Sequence, residues 1–361
     1  MRILFVNDYV ENVGGVEVYD KQLMSLLEDR GHTVELVGGT KLENNYKQFL
    51  RSFYSVQYRS KILSVVERFE PDLIFAHSIC YNVSPSFLRP IKRQNIPVVL
   101  TVPEISQLSY QFPNLPPYFI PPSFLRKFIQ RRLLRRYVDL FIAPSNVAAD
   151  HIRSALSTED VVQVPHPAFW ELPDGPVNRD PNRILFVGRL DPNKGVETLV
   201  RAFSSLIQSN DRPATLEIIG QGPAGKKLQD IVTSENIEDY VEFKGYVQHK
   251  DVQERYQNAA VFVLPSEISE NCPMTIIEAL SQGTPVITTN IGGQSELIEE
   301  GSNYGIMYDP SDEEQLANTL EDLLWNEARI QEMSSAARSR AKELSPTEHA
   351  RQLEEIFDNL I

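Results

Sequence analysis

Residues 172–189 read LPDGPVNRDPNRILFVGR, and this stretch decides how the chain is divided. Its first part, Leu172 to Asn182, holds three prolines and a glycine without apolar periodicity, a linker composition. At Arg183 an apolar run begins that shares the five residues RILFV with the run starting at Arg2. Upstream, strand-like runs start at Arg2 (RILFVND), Thr33 (TVELVGG), Asp72 (DLIFAHS), Pro97 (PVVLTVP), Leu140 (LFIAPS) and Val161 (VVQVPH). Downstream the alternation resumes with TLEIIG, YVEFKGY, VFVLPS, TPVITTN and YGIMYD, and after Asp309 the chain reads as helical and charged. Between the runs lie amphipathic stretches such as VEVYDKQLMSLLEDRG, where Val18, Leu23, Leu26 and Leu27 form one stripe and Gly31 supplies a stop. Short, nearly continuous apolar strands separated by helices predict parallel sheets covered on both faces. The expected fold class is α/β, two Rossmann-like doubly wound domains covering 1–171 and 172–344. The carboxyl ends of their strands are expected to face a common crevice, where ligands bind.

Composition narrows the function. Of 361 residues, 49 are acidic and 35 basic, a formal net charge of -14, which argues against a nucleic-acid partner. Cys80 and Cys272 lie far apart without a CxxC or Cys/His cluster, so neither a disulfide framework nor a structural zinc is expected. The opening MRILFVNDYV reaches polar residues at Asn7 and Asp8, too soon for a secretory core, and no apolar run is long enough to span a bilayer. The expected location is cytoplasmic.

Four groups of residues carry candidate chemistry. In ISENCPMTIIEAL, Glu270 and Glu278 would diverge by about 80° on one continuous helix. Pro273 favours a helix starting there, with Glu270 in the preceding loop and both carboxylates near a ligand over the helix N-terminus. The alternative is two solvated glutamates, one complementing the helix dipole. In VGRLDPNKG, Arg189 at a strand end and Lys194 at the next helix form a seat for a diphosphate, or else two surface cations. No Asp-x-Asp occurs in the chain, so no carboxylate pair for a metal on a diphosphate is expected, and the two cations would meet its charge themselves. Gly220, Gly222 and Gly225 in IIGQGPAGKKL fit the dinucleotide fingerprint, although Pro223 interrupts the usual turn; a tight loop lining the cleft reads equally well. Gly14 and Gly15 open the first helix, where backbone approaches ligands or a loop flexes. His77 and His166 end strands as polar candidates or as hydrogen-bonded structural residues.

A fifth feature is FLRKFIQRRLLRRY from Phe124. Six basic residues (Arg126, Lys127, Arg131, Arg132, Arg135 and Arg136) lie beside an apolar stripe of Leu125, Phe128, Ile129, Leu133 and Tyr137. Such a helix can rest on an anionic membrane surface, making the protein peripheral on the inner face, or it can bury the stripe and solvate the charges.

Taken in order, GGVE at Gly14, IFAHS, VGRLDPNKG, IIGQGP, SENCPMTIIEALSQGTPVI and GGQSELI resemble the family 4 retaining glycosyltransferases of the GT-B fold. The resemblance implies an enzyme that moves a hexose from a nucleotide-diphosphate sugar to an acceptor hydroxyl, with retention and without a metal or other cofactor. Polysaccharide, glycolipid or glycoconjugate synthesis is the implied setting, with a sugar or lipid-linked acceptor. It assigns Arg189 and Lys194 to the donor phosphates, Glu270 to the donor sugar and Glu278 to the ribose. Arg189, Lys194 and Glu270 are thus the implied catalytic residues. Gly14 and Gly15 fall at the donor and acceptor, Tyr246 and Val247 at the base, and Gly220, Gly222, Met274 and Thr275 complete the donor site. The segment 345–361 is implied to return to the first domain. Two positions depart from the family. Pro103 and Glu104 replace a His-Asp pair, leaving His77 and Glu104 as polar candidates on the acceptor side, and His166-Pro167 replaces Asn-Gly. The first departure keeps open a catalytically silent sugar-nucleotide-binding subunit, and the glycines from Gly220 keep open a nicotinamide-dependent oxidoreductase.

Overall fold

The computed structural model describes residues 1–8, 15–39, 45–102, 120–170, 172–173, 175 and 179–361. All twelve strand-like runs form strands, arranged in two six-stranded parallel sheets. The first contains β1 (Arg2–Asn7), β2 (Thr33–Gly38), β3 (Leu73–His77), β4 (Val98–Thr101), β5 (Leu140–Ala143) and β6 (Val161–Gln163), in the order β2-β1-β3-β4-β5-β6. The second contains β7 (Asp180–Val187), β8 (Thr215–Ile219), β9 (Val241–Gly245), β10 (Ala259–Leu264), β11 (Val286–Thr289) and β12 (Gly305–Tyr308), in the order β12-β11-β10-β7-β8-β9. Each sheet reverses its strand order once, between β1 and β3 and between β7 and β10. Every residue of β3, β4, β10 and β11 is buried, as expected for parallel strands covered on both faces.

The first compact unit comprises Met1–Pro165 with Pro346–Ile361, and the second is His166–Ser345. The division falls before residue 171 because the chain leaving β6 already packs on the second unit. The Ala168 amide donates to the Leu344 carbonyl at 3.1 Å, and the Trp170 ring lies 4.5 Å from that of His249. Within the expected linker, Arg179 also belongs to the second unit. Its guanidinium donates to the carbonyls of Gln257, Ala259 and Gln282 and to the Thr284 hydroxyl.

In the first unit α1 (Gly15–Asp29) buries Leu23 and Leu27, and Gly31 ends it with a φ of +91°. The last helix, α14 (Pro346–Asp358), closes that unit by burying His349, Leu353 and Phe357. Phe357 meets Phe75 edge-on at 5.2 Å, the Tyr19 hydroxyl lies 2.6 Å from His349 Nε2, and Arg30 grips Glu354 through two donors at 2.7 and 2.6 Å.

The basic helix, α5 (Ile120–Tyr137), corrects the sequence reading. Arg126 and Lys127 are buried and Leu125 and Phe128 are exposed, so the first part of the expected apolar stripe does not face the core, while Ile129 and Leu133 are half-buried and Tyr137 packs against it. Polar satisfaction explains the inversion. Gln130 donates to the carbonyls of Ser52 and Cys80 at 2.8 Å each, Arg126 donates to Gln130 at 3.2 Å, and Leu134 completes the buried side. Burial holds the Lys127 ammonium down at about 8. No helix among the described residues is long and apolar enough to cross a membrane.

Candidate donor-binding site

In open α/β sheets ligands collect beyond the carboxyl ends of strands where the order reverses. In the second unit that point lies between β7 and β10, and the two motifs carrying Arg189, Lys194 and Glu270 are the loops leaving these strands. The Glu267 amide donates to the Asn193 carbonyl at 3.0 Å, drawing the loops together. Lys194 Nζ then lies 2.7 Å from Glu270 Oε2, with both side chains largely buried. Glu270 Oε1 is buried and takes no hydrogen bond among the described residues. Arg189, from the same loop, is mostly exposed and donates from Nε to Asp191 Oδ2 at 2.9 Å. A guanidinium, an ammonium and an underused carboxylate therefore share one sheet edge.

Gln294, which the sequence reading passed over, fixes the Glu270 loop. It is fully buried at the start of α11 (Gly292–Leu297). Its Oε1 accepts from the Glu270 amide at 3.0 Å, while its Nε2 donates to the Ile268 carbonyl at 3.0 Å and to Thr289 Oγ1 at 3.2 Å. The polar glutamine directly after two glycines was the available signal.

Glu278 sits in α10 (Met274–Ser281), with Pro273 at the N-cap and Met274 and Thr275 as the first helical residues. Pro273 supplies no capping side chain, so the opening turn keeps amides available to an acceptor. Glu278 Oε1 lies 2.9 Å from His249 Nε2, and its Oε2 accepts from the Tyr256 hydroxyl at 3.1 Å. The hydrogen bond to Glu278 raises the His249 pKa, with burial opposing, and Trp170 packs on the imidazole. Glu270 and Glu278 thus have separate partners among the described residues, so their meeting on one ligand is not prearranged. His249 and Tyr256 of α9 (His249–Asn258) are the residues the sequence reading missed here.

The glycine-rich loop after β8 has a packing explanation. A Cβ at Gly220 would lie 1.8 Å from the Gly188 carbonyl oxygen, and one at Gly222 would lie 2.5 Å from that of Leu190. These glycines let the β8 loop lie against the β7 loop that carries Arg189. Because the fingerprint follows β8 instead of the strand at the reversal, the geometry removes the support for a nicotinamide oxidoreductase. Tyr246, just past β9, is largely exposed, whereas Val247 packs against the core.

In the first unit His77 ends β3 but is buried, with Nδ1 2.6 Å from Asp20 Oδ1 and its ring among Phe5, Tyr19 and Phe75. Gly15 is the first residue of α1, while Gly14 and Glu104 lie outside the described residues. Asp8, absent from the candidate set, is the carboxylate that organises this reversal. Its two oxygens accept the amides of Cys80, Tyr81, Asn82 and Val83 at 2.9, 2.9, 2.7 and 2.8 Å.

Residues 171–340 match the model of glycosyl transferases group 1, and residues 13–168 match that of Glycosyltransferase Family 4. The sulfoquinovosyl transferase SQD2 of Arabidopsis thaliana is 26% identical over 305 residues, 79% of this chain and 56% of its own. The chain spans only 19% to 56% of the length of the first curated relatives it matches. Among solved structures, sucrose-phosphate synthase from Thermosynechococcus elongatus superposes with a TM-score of 0.76 at 20% identity, over 100% of this chain and 99% of that one. The Anabaena protein HepE, solved with UDP, gives 0.75 at 21% identity over 99% and 100%. With the two family models meeting on successive halves and both sheets in the matching architecture, the chain belongs to the family 4, group 1 glycosyltransferases and has the GT-B fold.

Proposed function

We propose that the protein transfers a hexose from a nucleotide-diphosphate sugar to an acceptor hydroxyl, with retained anomeric configuration and without a metal ion. The observation that carries this reading is the Lys194–Glu270 pair at the β7/β10 reversal, with Glu270 Oε1 still able to accept. An ammonium has three N–H donors, so Lys194 can keep Glu270 and still bind diphosphate oxygens. Arg189, being exposed, can turn from Asp191 to grip two oxygens of the same group. The bond from the sugar anomeric carbon to the diphosphate oxygen breaks as these cations meet the developing charge. The acceptor oxygen bonds to that carbon on the same face, and its proton passes to the departing phosphate oxygen. Glu270 orients the sugar through its hydroxyls and forms no covalent intermediate. Glu278 grips the ribose by exchanging a hydrogen bond from His249 or Tyr256 for one from a sugar hydroxyl. Tyr246 offers an exposed ring to the base.

Titration calorimetry with UDP, GDP and ADP in EDTA tests the binding half. UDP and UDP-glucose are the natural first probes because HepE has been solved with each. Slow donor hydrolysis in EDTA, with the freshly released sugar in the donor's anomeric form by NMR, supports metal-free retention. Tight binding without hydrolysis or transfer over a broad acceptor panel identifies a silent binder instead.

A further inference from the structure

The outward face of α5 is the unexplained part of the molecule. Among the described residues ten large apolar side chains are exposed, and six of them lie on this helix or on the corner it packs against. Phe124, Leu125 and Phe128 belong to α5. Leu50, Tyr54 and Val56 belong to the corner between α2 (Asn45–Phe53) and α3 (Val56–Phe69). Gln130, which bonds the Ser52 carbonyl of that corner, lies on the opposite, buried side of the helix, so the outward face considered below is that of α5 alone. At about 100° per residue, Phe124, Leu125, Phe128, Arg132, Arg135 and Arg136 fall within one sector of roughly 120°. The face is therefore apolar in its first turns and carries three guanidinium groups in its last.

Rotation cannot hide this face. Turning the helix inward would strip Gln130 of its two backbone acceptors and leave Arg126 without the Cys80 carbonyl and Gln130. The buried polar side thus locks the apolar side outward. Arg132, Arg135 and Arg136 are exposed and form no ion pair among the described residues, Arg136 lying 5.7 Å over the Tyr137 ring, although the chain carries a net charge of -14. A contiguous exposed apolar patch marks an interaction surface, and unneutralised arginines beside it select an anionic partner. We infer that this face docks on an anionic lipid bilayer, the phenylalanines entering the acyl boundary and the arginines meeting the headgroups. It is a different surface from the donor site, and the inference does not depend on the transferase reading.

The test is sedimentation of the whole chain with sucrose-loaded vesicles of phosphatidylcholine, alone or mixed with phosphatidylglycerol. The wild type is expected to pellet with the mixed vesicles and to remain in solution with phosphatidylcholine alone. Replacing the charges (Arg132→Gln, Arg135→Gln, Arg136→Gln) should weaken pelleting by about a hundredfold in vesicle affinity. Replacing the apolar residues (Phe124→Ser, Phe128→Ser) should abolish the fraction that stays bound in high salt. Because Arg132, Arg135, Arg136 and Phe128 are exposed, circular dichroism and melting of the arginine variant and of Phe128→Ser alone should match the wild type. A Phe128→Trp reporter should shift its emission to the blue on adding mixed vesicles. The inference is overturned by a wild type that pellets with neither vesicle, by equal pelleting of wild type and both variants, or by an unshifted Trp emission. It is also overturned if sedimentation equilibrium finds a dimer that Phe124→Ser and Phe128→Ser dissolve, since the face then belongs to a second copy.

Discussion

Each sheet reverses its strand order once, and each reversal holds a carboxylate, but the two are used differently. Between β1 and β3, Asp8 commits both oxygens to four amides of the loop that follows β3. Burial pushes this carboxyl up to about 7 even against the four amides, which pull it down. Four donors leave no acceptor for a carboxyl proton, so the anion is the form this geometry holds. Between β7 and β10, Glu270 shares one oxygen with Lys194 and keeps the other without a partner among the described residues. The comparison separates a carboxylate that completes its own fold from one that waits for a ligand. Topology alone would have flagged both.

Lys194→Ala breaks the second arrangement and should have the largest effect. Loss of a cation meeting leaving-group charge lowers kcat by about 10²–10³-fold. The melting temperature should fall as well, because the largely buried Glu270 carboxylate is left unpaired, so kcat is compared on protein shown to be folded by circular dichroism. Turnover within a factor of two of wild type would remove Lys194 from the chemistry. Asp8→Asn breaks the first arrangement instead. An amide presents its own N–H donors to backbone N–H groups, and losing charge-assisted bonds in a buried site should cost about 3 kcal/mol of stability. Urea denaturation measures that loss, and UDP affinity in the surviving folded protein should stay unchanged. A variant as stable as wild type but unable to bind UDP would reverse the comparison.

The strands were legible because buried parallel strands are short, nearly continuous apolar words such as AAVFVL, which periodicity reads directly. Arg189, Lys194 and Glu270 were legible because they stand just past such words. Partnerships across the chain were not. Nothing local connects Asp8 to the amides near residue 80, or Glu270 to Gln294, since such bonds exist only once the sheet sets the strands side by side. The α5 helix failed for another reason. Apolar periodicity assumes that the apolar side turns inward, yet here Arg126 and Gln130 do so because backbone carbonyls are there to receive them, and Lys127 turns in with its ammonium 6.0 Å from the Tyr81 ring centroid. The glycines at Gly220 and Gly222 leave two readings open, because close packing of two loops needs the same residue as close approach to a phosphate.

Gln294→Ala sharpens the comparison by loosening Glu270 without touching it. Glu270 would lose the acceptor for its amide, and the Ile268 carbonyl would lose a donor. The KM for the intact donor should rise about tenfold, an effect worth roughly 1.4 kcal/mol, while affinity for free UDP holds. A merely structural glutamine would lower stability and leave that ratio alone.

The smallest expected effect lies at Glu278, whose second-unit role is intermediate between the two carboxylates: both oxygens are occupied, but by exchangeable side chains. The His249 pKa is raised in the folded state by Glu278, so the pair contributes stability that is complete below the unfolded value of 6.5 and is lost as pH rises through the folded one. His249→Gln keeps a donor toward Glu278 but does not titrate. Melting curves from about pH 5.5 to 8.5 should therefore show the wild type ahead by a degree or two on the acid side, with the gap closing as pH rises. Nucleotide affinity should move oppositely, weakening toward acid in the wild type, where the imidazolium holds Glu278 away from the ribose, and staying flat in the variant. Parallel curves for both proteins over the whole range would place Glu278 with Asp8, as a carboxylate already committed to its own fold.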